Sequence, residues 1–163
     1  MNNIFLLVGS NQGDRLQNLR KVKGLVSERI GKLIGVSHIH ETEPWGYEST
    51  KSFYNQCLIL ESKLNSDILL NEILNIEKEL GRIRNSKSFT DRIIDIDILF
   101  FNNECIHNAD LTIPHPRLHE RRFVLEPLAE IAPDFLHPVF KNSIRKILDN
   151  STDRHLVRKL EFI

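Results

Sequence analysis

Two aspartates that lie two positions apart are the most informative feature of the sequence. Residues 92–99 read RIIDIDIL, so Asp95 and Asp97 are separated by one isoleucine. Alternate side chains of a β-strand share a face, so both acids would point one way, with their Cα atoms about 7 Å apart. Carboxylates at this spacing suit one Mg²⁺ ion, or two ions roughly 4 Å apart. For the pair alone, however, two acids on a solvent-facing strand edge are the favoured interpretation.

Arginines near the acid pair change that interpretation. Arg82 and Arg84 come where a predicted helix ends, and Arg92 directly precedes the strand. Guanidinium groups bind phosphate oxygens while acids hold a metal, and phosphoryl transfer needs both. The dipole of the helix end accounts for Arg82 and Arg84 but not for Arg92.

Two further segments carry polar chemistry. Residues 114–123 read PHPRLHERRF, and histidines and arginines held between prolines predict a loop that contacts an anion. Zinc is less favoured there, because neither a nearby Cys nor a helical HExxH pattern accompanies the histidines. Phe53 and Asn55 can stack on and read a flat heterocycle, although ordinary strand composition is the favoured explanation of these two alone. Residues 9–13, GSNQG, lack the Lys of a P-loop and predict only a turn.

Composition excludes several classes of protein. The 163 residues carry 22 basic and 22 acidic side chains, so a zero net charge gives no overall electrostatic reason for a nucleic-acid partner. Cys57 and Cys105 lack metal-site spacing, and we expect both to be small core residues of a reducing compartment. No apolar run is long enough to span a bilayer and no signal peptide is recognisable, so we expect a cytoplasmic protein without a membrane partner. The length suits a single domain over residues 1–163.

The elements that must position these residues follow from apolar periodicity. One helix is predicted to be capped by Asp14 and to end near Gly35, and a second to be capped by Ser66 or Asp67 and to end near Gly81. Strands are predicted at residues 4–8, 36–42, 53–61 and 94–101. This order predicts an α+β fold, a ferredoxin-like βαββαβ sandwich with an antiparallel sheet and its helices on one face.

The last third of the chain differs from the rest in its proline content. Five of the six prolines follow residue 105. We therefore expect a C-terminal helical and hairpin extension that wraps on the sheet, with a helix over residues 121–132 broken at Pro127.

Together these segments resemble the 6-hydroxymethyl-7,8-dihydropterin pyrophosphokinase family of folate biosynthesis. The resemblance is carried by VGSN at 8–11, TEPWG at 42–46, FYN at 53–55, Arg92 with DIDI at 95–98, LTIPHP at 111–116 and RRF at 121–123. It implies an ATP-dependent diphosphotransferase. Such an enzyme moves the β,γ-diphosphate of ATP as one unit to the hydroxymethyl oxygen of the pterin and releases AMP.

The resemblance also implies roles for individual residues. Asp95 and Asp97 would hold two Mg²⁺ ions, Arg82 and Arg92 would be the catalytic cations, and Asp97 would assist in removing the hydroxyl proton. The residues implied to bind ATP are Leu70, Glu77, Arg84, Ile98, Leu111, Thr112, His115 and Arg121. Those implied to bind the pterin are Thr42, Pro44, Trp45, Gly46, Phe53, Asn55 and Phe123, with the ring stacked between the two phenylalanines. The expected partners are ATP and the pterin alone, and the expected oligomeric state is a monomer.

Two other functions compete with this one. A palm-like two-metal nucleotidyl transferase would also use paired acids, but the heterocycle-reading segments and the neutral charge argue against a long nucleic-acid groove. A small-molecule-binding regulatory module is compatible with a ferredoxin-like fold, since fold alone does not decide function. Such a module would not need arginines beside the acid pair.

Overall fold

The computed structural model of the protein describes residues 1–42, 51–81 and 93–161. The strands are β1 (Asn2–Ser10), β2 (Lys32–Val36), β3 (His40–Thr42), β4 (Phe53–Ser62), β5 (Asp95–Phe101), β6 (Ile106–His107), β7 (Thr112–Ile113) and β8 (Val157–Lys159). The helices are α1 (Arg15–Arg29), α2 (Ser66–Glu79), α3 (Arg122–Ile131) and α4 (Ile144–Asp149), with a short 3₁₀ helix at Leu118–Glu120. The described strands form a six-stranded sheet in the order β5-β1-β4-β3-β8, in which β2 also pairs with β4, and a small β6-β7 hairpin. Every strand pair is antiparallel, so a mixed fold of helices and antiparallel sheet is confirmed.

One face of the sheet packs against α1 and α2. Alternate residues of β1 and β5 point into this layer, and Ile4, Leu6, Ile96 and Ile98 join the helices' apolar side chains in one buried cluster. Leu19 of α1 is fully buried there. Each large aliphatic side chain buried in this way stabilises the fold by roughly 2 kcal/mol. The predicted orientation of the isoleucines of β5 is thus confirmed.

The opposite face of the sheet packs against α3 and α4. Phe5, Phe100 and Phe135 form the centre of this second cluster, with ring centroids 4.6 to 5.5 Å apart. Leu125 and Leu128 of α3 are fully buried beside them. Helices therefore cover both faces of the sheet. The prediction that the helices lie on one face is correct for α1 and α2, whereas α3 and α4 cover the other face.

A β-bulge divides β5 into two parts. Leu6 pairs with Ile98 and Phe5 pairs with Phe100, so Leu99 is an extra residue in the ladder between β1 and β5. Because of this residue, Leu99 and Phe100 both contribute to the second cluster. Such bulges change the direction in which the following side chains point.

Several predicted boundaries are wrong. The first helix ends at Arg29 and not near Gly35, because Leu33 pairs with Leu60 in β2 instead of continuing the helix. The single strand predicted over 36–42 contains only the last residue of β2 and the three residues of β3, with residues 37–39 between them.

Two predictions about local breaks and caps are also corrected. The α2 cap is Asn65, whose side chain accepts a hydrogen bond from Ile68 N, and not Ser66 or Asp67. Pro127 does not break α3, which continues to Ile131 because Leu125 and Leu128 are buried on either side of it. The cap at Asp14 and the end of α2 just before Gly81, which has a positive φ, agree with the prediction.

The two cysteines differ in their burial. Both cysteines are free thiols, but only Cys57 is a core residue, whereas Cys105 is exposed in the connection before β6. No helix within the described ranges is both long and apolar enough to cross a bilayer.

Candidate active site

The two aspartates lie on the same face of β5. Asp95 and Asp97 are both half-buried, while Ile94, Ile96 and Ile98 are buried on the face toward α1 and α2. Within the described sheet β5 is a terminal strand, so both acids lie at its edge, on the face that α3 and α4 cover further along the sheet. This is the arrangement that the alternation of the sequence predicts.

Gly9 of β1 lies between Asp95 of β5 and the amide side chain of Asn55 of β4. In the sheet Gly9 pairs with Asp95 on one side and with Asn55 on the other. A Cβ atom at Gly9 would lie 2.5 Å from Asn55 Oδ1, so only glycine leaves room for that amide. Asp95 and Asn55 are two strand spacings apart, about 10 Å, and share one face.

Gly9 is part of the family resemblance, but residues 9–13 by themselves predict only a turn, so the close approach of Gly9 to Asn55 was not predicted. A glycine that ends a strand of apolar residues is nevertheless a recognised signal of close approach by another group.

Segment 114–121 brings positive charge to the same face. His115 N donates a hydrogen bond to Leu99 O, 3.0 Å away, which lays the segment alongside β5. Arg121 is only 6% exposed. Burial lowers the pKa of Arg121, and Asp97 and then Asp95 are the nearby acids that raise it. An arginine remains protonated under such conditions, so a buried guanidinium faces the field of both acids.

His115 is neutral at physiological pH. Burial and, after it, the charge of Arg121 lower the pKa of His115 to about 4, while Asp95 acts in the opposite direction. Arg117 N donates a hydrogen bond to His115 Nδ1 at 3.2 Å. The neutral ring therefore carries its hydrogen on Nε2, where it can donate to an anion without adding charge.

Three described residues of the predicted pterin side lie close together. Asn55 Nδ2 donates a hydrogen bond to Thr42 Oγ1 at 3.1 Å, and both residues are buried. Thr42 pairs directly with Phe53, which is half-buried. Phe123 lies at the start of α3, with the Arg121 guanidinium 5.7 Å from its ring centroid.

The residues predicted to contact adenine belong to the other face of β5. Leu70, Ile98 and Leu111 contribute to the cluster under α1 and α2, and Thr112 pairs with His107 in the β6-β7 hairpin. Glu77 is 2% exposed, and its carboxylate accepts a hydrogen bond from Ile96 N at 2.9 Å. Glu77 thus joins α2 to β5 directly beside the two aspartates.

The remaining predicted residues lie outside the described part of the chain. They are Pro44, Trp45, Gly46, Arg82, Arg84 and Arg92.

The donor set suits a metal that arrives with a nucleotide. In the described ranges no group of three or more His, Cys, Asp and Glu side chains could hold a metal ion. Asp95 and Asp97 therefore offer two carboxylates and no more complete cage. Mg²⁺ commonly takes one or two carboxylates and completes its shell with water and phosphate oxygens, so the residues fit this ion.

The chain is similar to known proteins in family, in sequence and in structure. The family model described as 7,8-dihydro-6-hydroxymethylpterin-pyrophosphokinase (HPPK) matches residues 5–133. A 2-amino-4-hydroxy-6-hydroxymethyldihydropteridine pyrophosphokinase of Bacillus subtilis is 44% identical over 133 residues, 80% of this chain and 79% of its own length. The enzyme of that name from Porphyromonas gingivalis is 40% identical over 138 residues, 83% of this chain and 93% of its own.

A solved structure has a similar fold. The crystal structure of Plasmodium falciparum HPPK-DHPS matches 91% of this chain with a TM-score of 0.75 at 20% identity. The present chain spans 44% of the length of that crystallised chain. Because the family model covers most of the chain and the sequence relatives match along most of their length, the chain belongs to the HPPK family, the pyrophosphokinases of folate biosynthesis.

Proposed function

We propose that this pyrophosphokinase binds the triphosphate of ATP between the acid pair of β5 and the segment that carries His115 and Arg121. The hydroxymethyl oxygen of 6-hydroxymethyl-7,8-dihydropterin attacks the β-phosphorus, the bond between the β-phosphorus and the oxygen that bridges it to the α-phosphorus breaks, and AMP leaves with that oxygen while the β,γ-diphosphate passes to the pterin as one unit. The observation that carries this proposal is the buried Arg121 guanidinium within the field of Asp95 and Asp97. A bound triphosphate needs cations on both of its sides, and the Arg121 guanidinium is one of these cations.

Asp95 and Asp97 would hold the metal, and we propose two Mg²⁺ ions. When bound, Mg²⁺ neutralises the charge of the triphosphate and orients its oxygens for in-line transfer. Arg121 stabilises the negative charge that moves toward the leaving group, and His115 donates from Nε2 to a phosphate oxygen. Asp97 takes the proton that the pterin hydroxyl releases. Fixed charges in a partly dry site are where catalysis of phosphoryl transfer mainly resides.

The acceptor is proposed to lie over the pterin side of the site. The amide of Asn55 both donates and accepts hydrogen bonds, which suits the edge of a heterocycle, and Thr42 fixes its orientation. Phe53 and Phe123 supply the apolar faces between which the ring stacks. Pro44, Trp45 and Gly46 belong to this proposal through the resemblance alone, as do Arg82, Arg84 and Arg92 on the ATP side.

The adenine is proposed to lie near Leu70, Ile98, Leu111 and Thr112. These residues adjoin β5 on the side away from the pterin, so the triphosphate would cross the strand between the two sites. Glu77, already bonded to β5, would then act by holding α2 in place as much as by contacting the base.

The finer features of the architecture are part of the proposal. We propose a ferredoxin-like βαββαβ sheet in which β2 and β3 together would take the place of the second strand, and the order β5-β1-β4-β3 supports it. The segment after residue 113, with α3 and α4, would be the C-terminal extension on the second face. We propose one pyrophosphokinase domain over residues 1–163, acting as a monomer in the cytoplasm, without a nucleic-acid or membrane partner.

Product analysis tests the proposed reaction. With ATP, Mg²⁺ and the hydroxymethyl pterin, we expect AMP and a pterin diphosphate in equal amounts, and neither product without the pterin. ADP or free diphosphate as the main product would contradict transfer of a diphosphate unit. Family membership already favours an enzyme over a regulatory module and over a nucleotidyl transferase.

The stacking model has a test of its own. Phe123→Ala should weaken pterin binding more than ATP binding, because the ring face is lost while the phosphate contacts stay. Each ligand is titrated separately by calorimetry, and equal losses for the two ligands would contradict the model.

A further inference from the structure

The face of the β3-β4 pair toward α1 carries a polar network centred on Arg15, the first residue of that helix. Arg15 Nη1 donates hydrogen bonds to Ser52 Oγ at 2.7 Å and to Ser52 O at 3.1 Å, and it pairs with Glu41 Oε2 at 3.4 Å. The Arg15 guanidinium also lies 3.9 Å from the ring centroid of Tyr54. Ser52 Oγ donates in turn to Glu41 Oε2 at 2.9 Å. We call Arg15, Glu41, Ser52 and Tyr54 the Arg15 network.

The Arg15 network and the proposed pterin contacts alternate along the same two strands. Glu41 pairs with Tyr54, and this pair lies between the Thr42–Phe53 pair and the His40–Asn55 pair. Successive side chains of a strand point to opposite faces. The network is therefore on the face opposite Thr42, Phe53 and Asn55, one residue removed from each of them.

The short length of β3 makes its position depend on such contacts. β3 has three residues, so its ladder contains few hydrogen bonds. A slip of one residue in a strand turns every side chain to the other face. A guanidinium that bonds to Ser52 and Glu41 and stacks on Tyr54 opposes both a slip and a shift of β3 against β4.

The amide of Asn55 depends on the position of β3, and it lies on the face of the sheet that is proposed to bind the pterin. Asn55 Nδ2 donates to Thr42 Oγ1, so the amide's orientation depends on where β3 places Thr42. We infer that Arg15 is a positioning residue for the acceptor substrate: it fixes β3 against β4 from behind and so sets the hydrogen-bonding edge presented to the pterin. This inference rests on the proposed placement of the pterin.

The chain offers a matched control for Arg15 on the same helix. Arg29, at the other end of α1, has a side chain 32% exposed and pairs with Glu79 at 2.6 Å; the side chain of Arg15 is 29% exposed. Arg29→Ala therefore removes a guanidinium of similar exposure and one ion pair, at the end of α1 away from the Arg15 network.

Steady-state kinetics of AMP formation tests the inference, with each substrate varied at saturating levels of the other. For Arg15→Ala we expect a rise of about tenfold in the KM for the pterin, with the KM for ATP and the kcat within about threefold of the wild type. Arg15→Lys should recover part of the loss, because an ammonium keeps the charge but lacks the planar fork. Arg29→Ala should leave both KM values unchanged. A pterin KM unmoved in Arg15→Ala, or equal rises for pterin and ATP, would overturn the inference.

Two further variants separate the possible failures. If Arg15→Ala does not fold, Ser52→Ala, which removes the hydroxyl shared by Arg15 and Glu41, should raise the pterin KM by about threefold with the ATP KM unchanged, and no effect would overturn the inference. Asn55→Ala tests the proposed site independently. An unmoved pterin KM in Asn55→Ala, or no AMP from the wild type, would overturn the placement of the pterin itself.

Discussion

Asp97 has two roles, one toward the proposed metal and one toward the buried Arg121. It is one of the two carboxylates proposed to hold the metal, and it is also the nearby acid that most favours the charged form of the buried Arg121. The same side chain thus stabilises the charge of Arg121 and would hold the proposed metal. A residue with both tasks is sensitive to changes in charge more than to changes in volume.

The first prediction concerns that charge. Asp97→Asn keeps the size of the side chain but removes its charge, and we expect turnover to fall by about a hundredfold or more, because fixed charge accounts for most of the catalysis. Formation of AMP at saturating substrates measures the loss. Asp110→Asn changes an exposed acid near the β6-β7 hairpin and should leave turnover unchanged. Turnover near the wild-type value in Asp97→Asn would refute the assignment.

A second prediction at the level of a residue uses two glycines. Gly9→Ala should weaken pterin binding by about tenfold, because the new methyl group displaces the Asn55 amide. Gly24→Ala is the control: nothing lies within 4 Å of a Cβ placed there, in the middle of α1. That change should raise stability by about 0.5–1 kcal/mol and leave binding unchanged. Calorimetric titration and urea unfolding measure the two effects, and unchanged pterin binding in Gly9→Ala would contradict the role of the glycine.

At the level of elements, the position of α3 depends on one carboxylate. Glu130 Oε2 accepts hydrogen bonds from His38 N at 2.8 Å and from the ring of His38 at 2.9 Å, and Glu130 Oε1 lies 3.7 Å from Lys159 Nζ. These contacts join the last turn of α3 to the entrance of β3 and to β8. The helix that begins next to Arg121 is therefore fixed to the strand that carries Thr42.

This gives a third prediction, with a control on the same helix. Glu130→Ala should lower the free energy of unfolding by about 2 kcal/mol, because charged hydrogen bonds between elements are lost. Glu126→Ala removes an ion pair with Arg122 at 2.6 Å, within the helix, and should cost about 0.5 kcal/mol or less. Urea unfolding compares the two variants. Equal losses would show that Glu130 contributes no more than a surface pair.

The elements also show which parts of the fold a single sequence can predict. The alternation of acids and isoleucines in β5 was correct, because burial of one face fixes the register of a strand. The end of α1 was not, since Leu33 fits the apolar period of the helix and equally fits β2, and only its pairing with Leu60 decides. The cap at Asn65 was not predicted because the neighbouring Ser66 and Asp67 are equally good capping residues. The unbroken helix at Pro127 was not predicted because burial of its neighbours outweighs the local cost of the proline.

The site shows the same division between local and tertiary information. The acid pair and the residues around His115 are local motifs and could be recognised directly. The link from Gly9 to Asn55 and the Arg15 network join segments distant along the chain, so no local pattern announces them.

At the level of the whole molecule, two histidines are held neutral by the fold. Burial lowers the pKa values of His115 and His137 to about 4, below the ordinary value of 6.5. As the pH falls from 6.5 toward 4, the unfolded chain takes up protons that the folded chain does not. Stability is therefore fully present above this range and is lost within it as the pH falls.

A fourth prediction follows from this linkage. The free energy of unfolding should decrease from about pH 7 to about pH 5, and His115→Gln should make that decrease smaller, because one titrating group is gone. His107→Gln, which replaces an exposed histidine of β6, is the control. Urea unfolding at both pH values gives the slopes, and an unchanged slope in His115→Gln would contradict a buried neutral ring.

The extra residue Leu99 has a consequence for how this protein can vary in length. Asp97 and Phe100 lie on the same face of β5, because Leu99 is the one residue of the strand without a partner in β1. A β5 without Leu99 would pair regularly with β1 and would keep the acid pair and Phe100 on the faces that they have now. It would lose a fully buried side chain of the second cluster and the carbonyl that accepts the hydrogen bond of His115 N. Shortening the strand at this point therefore leaves the carboxylates in place but detaches from β5 the segment that carries His115 and Arg121.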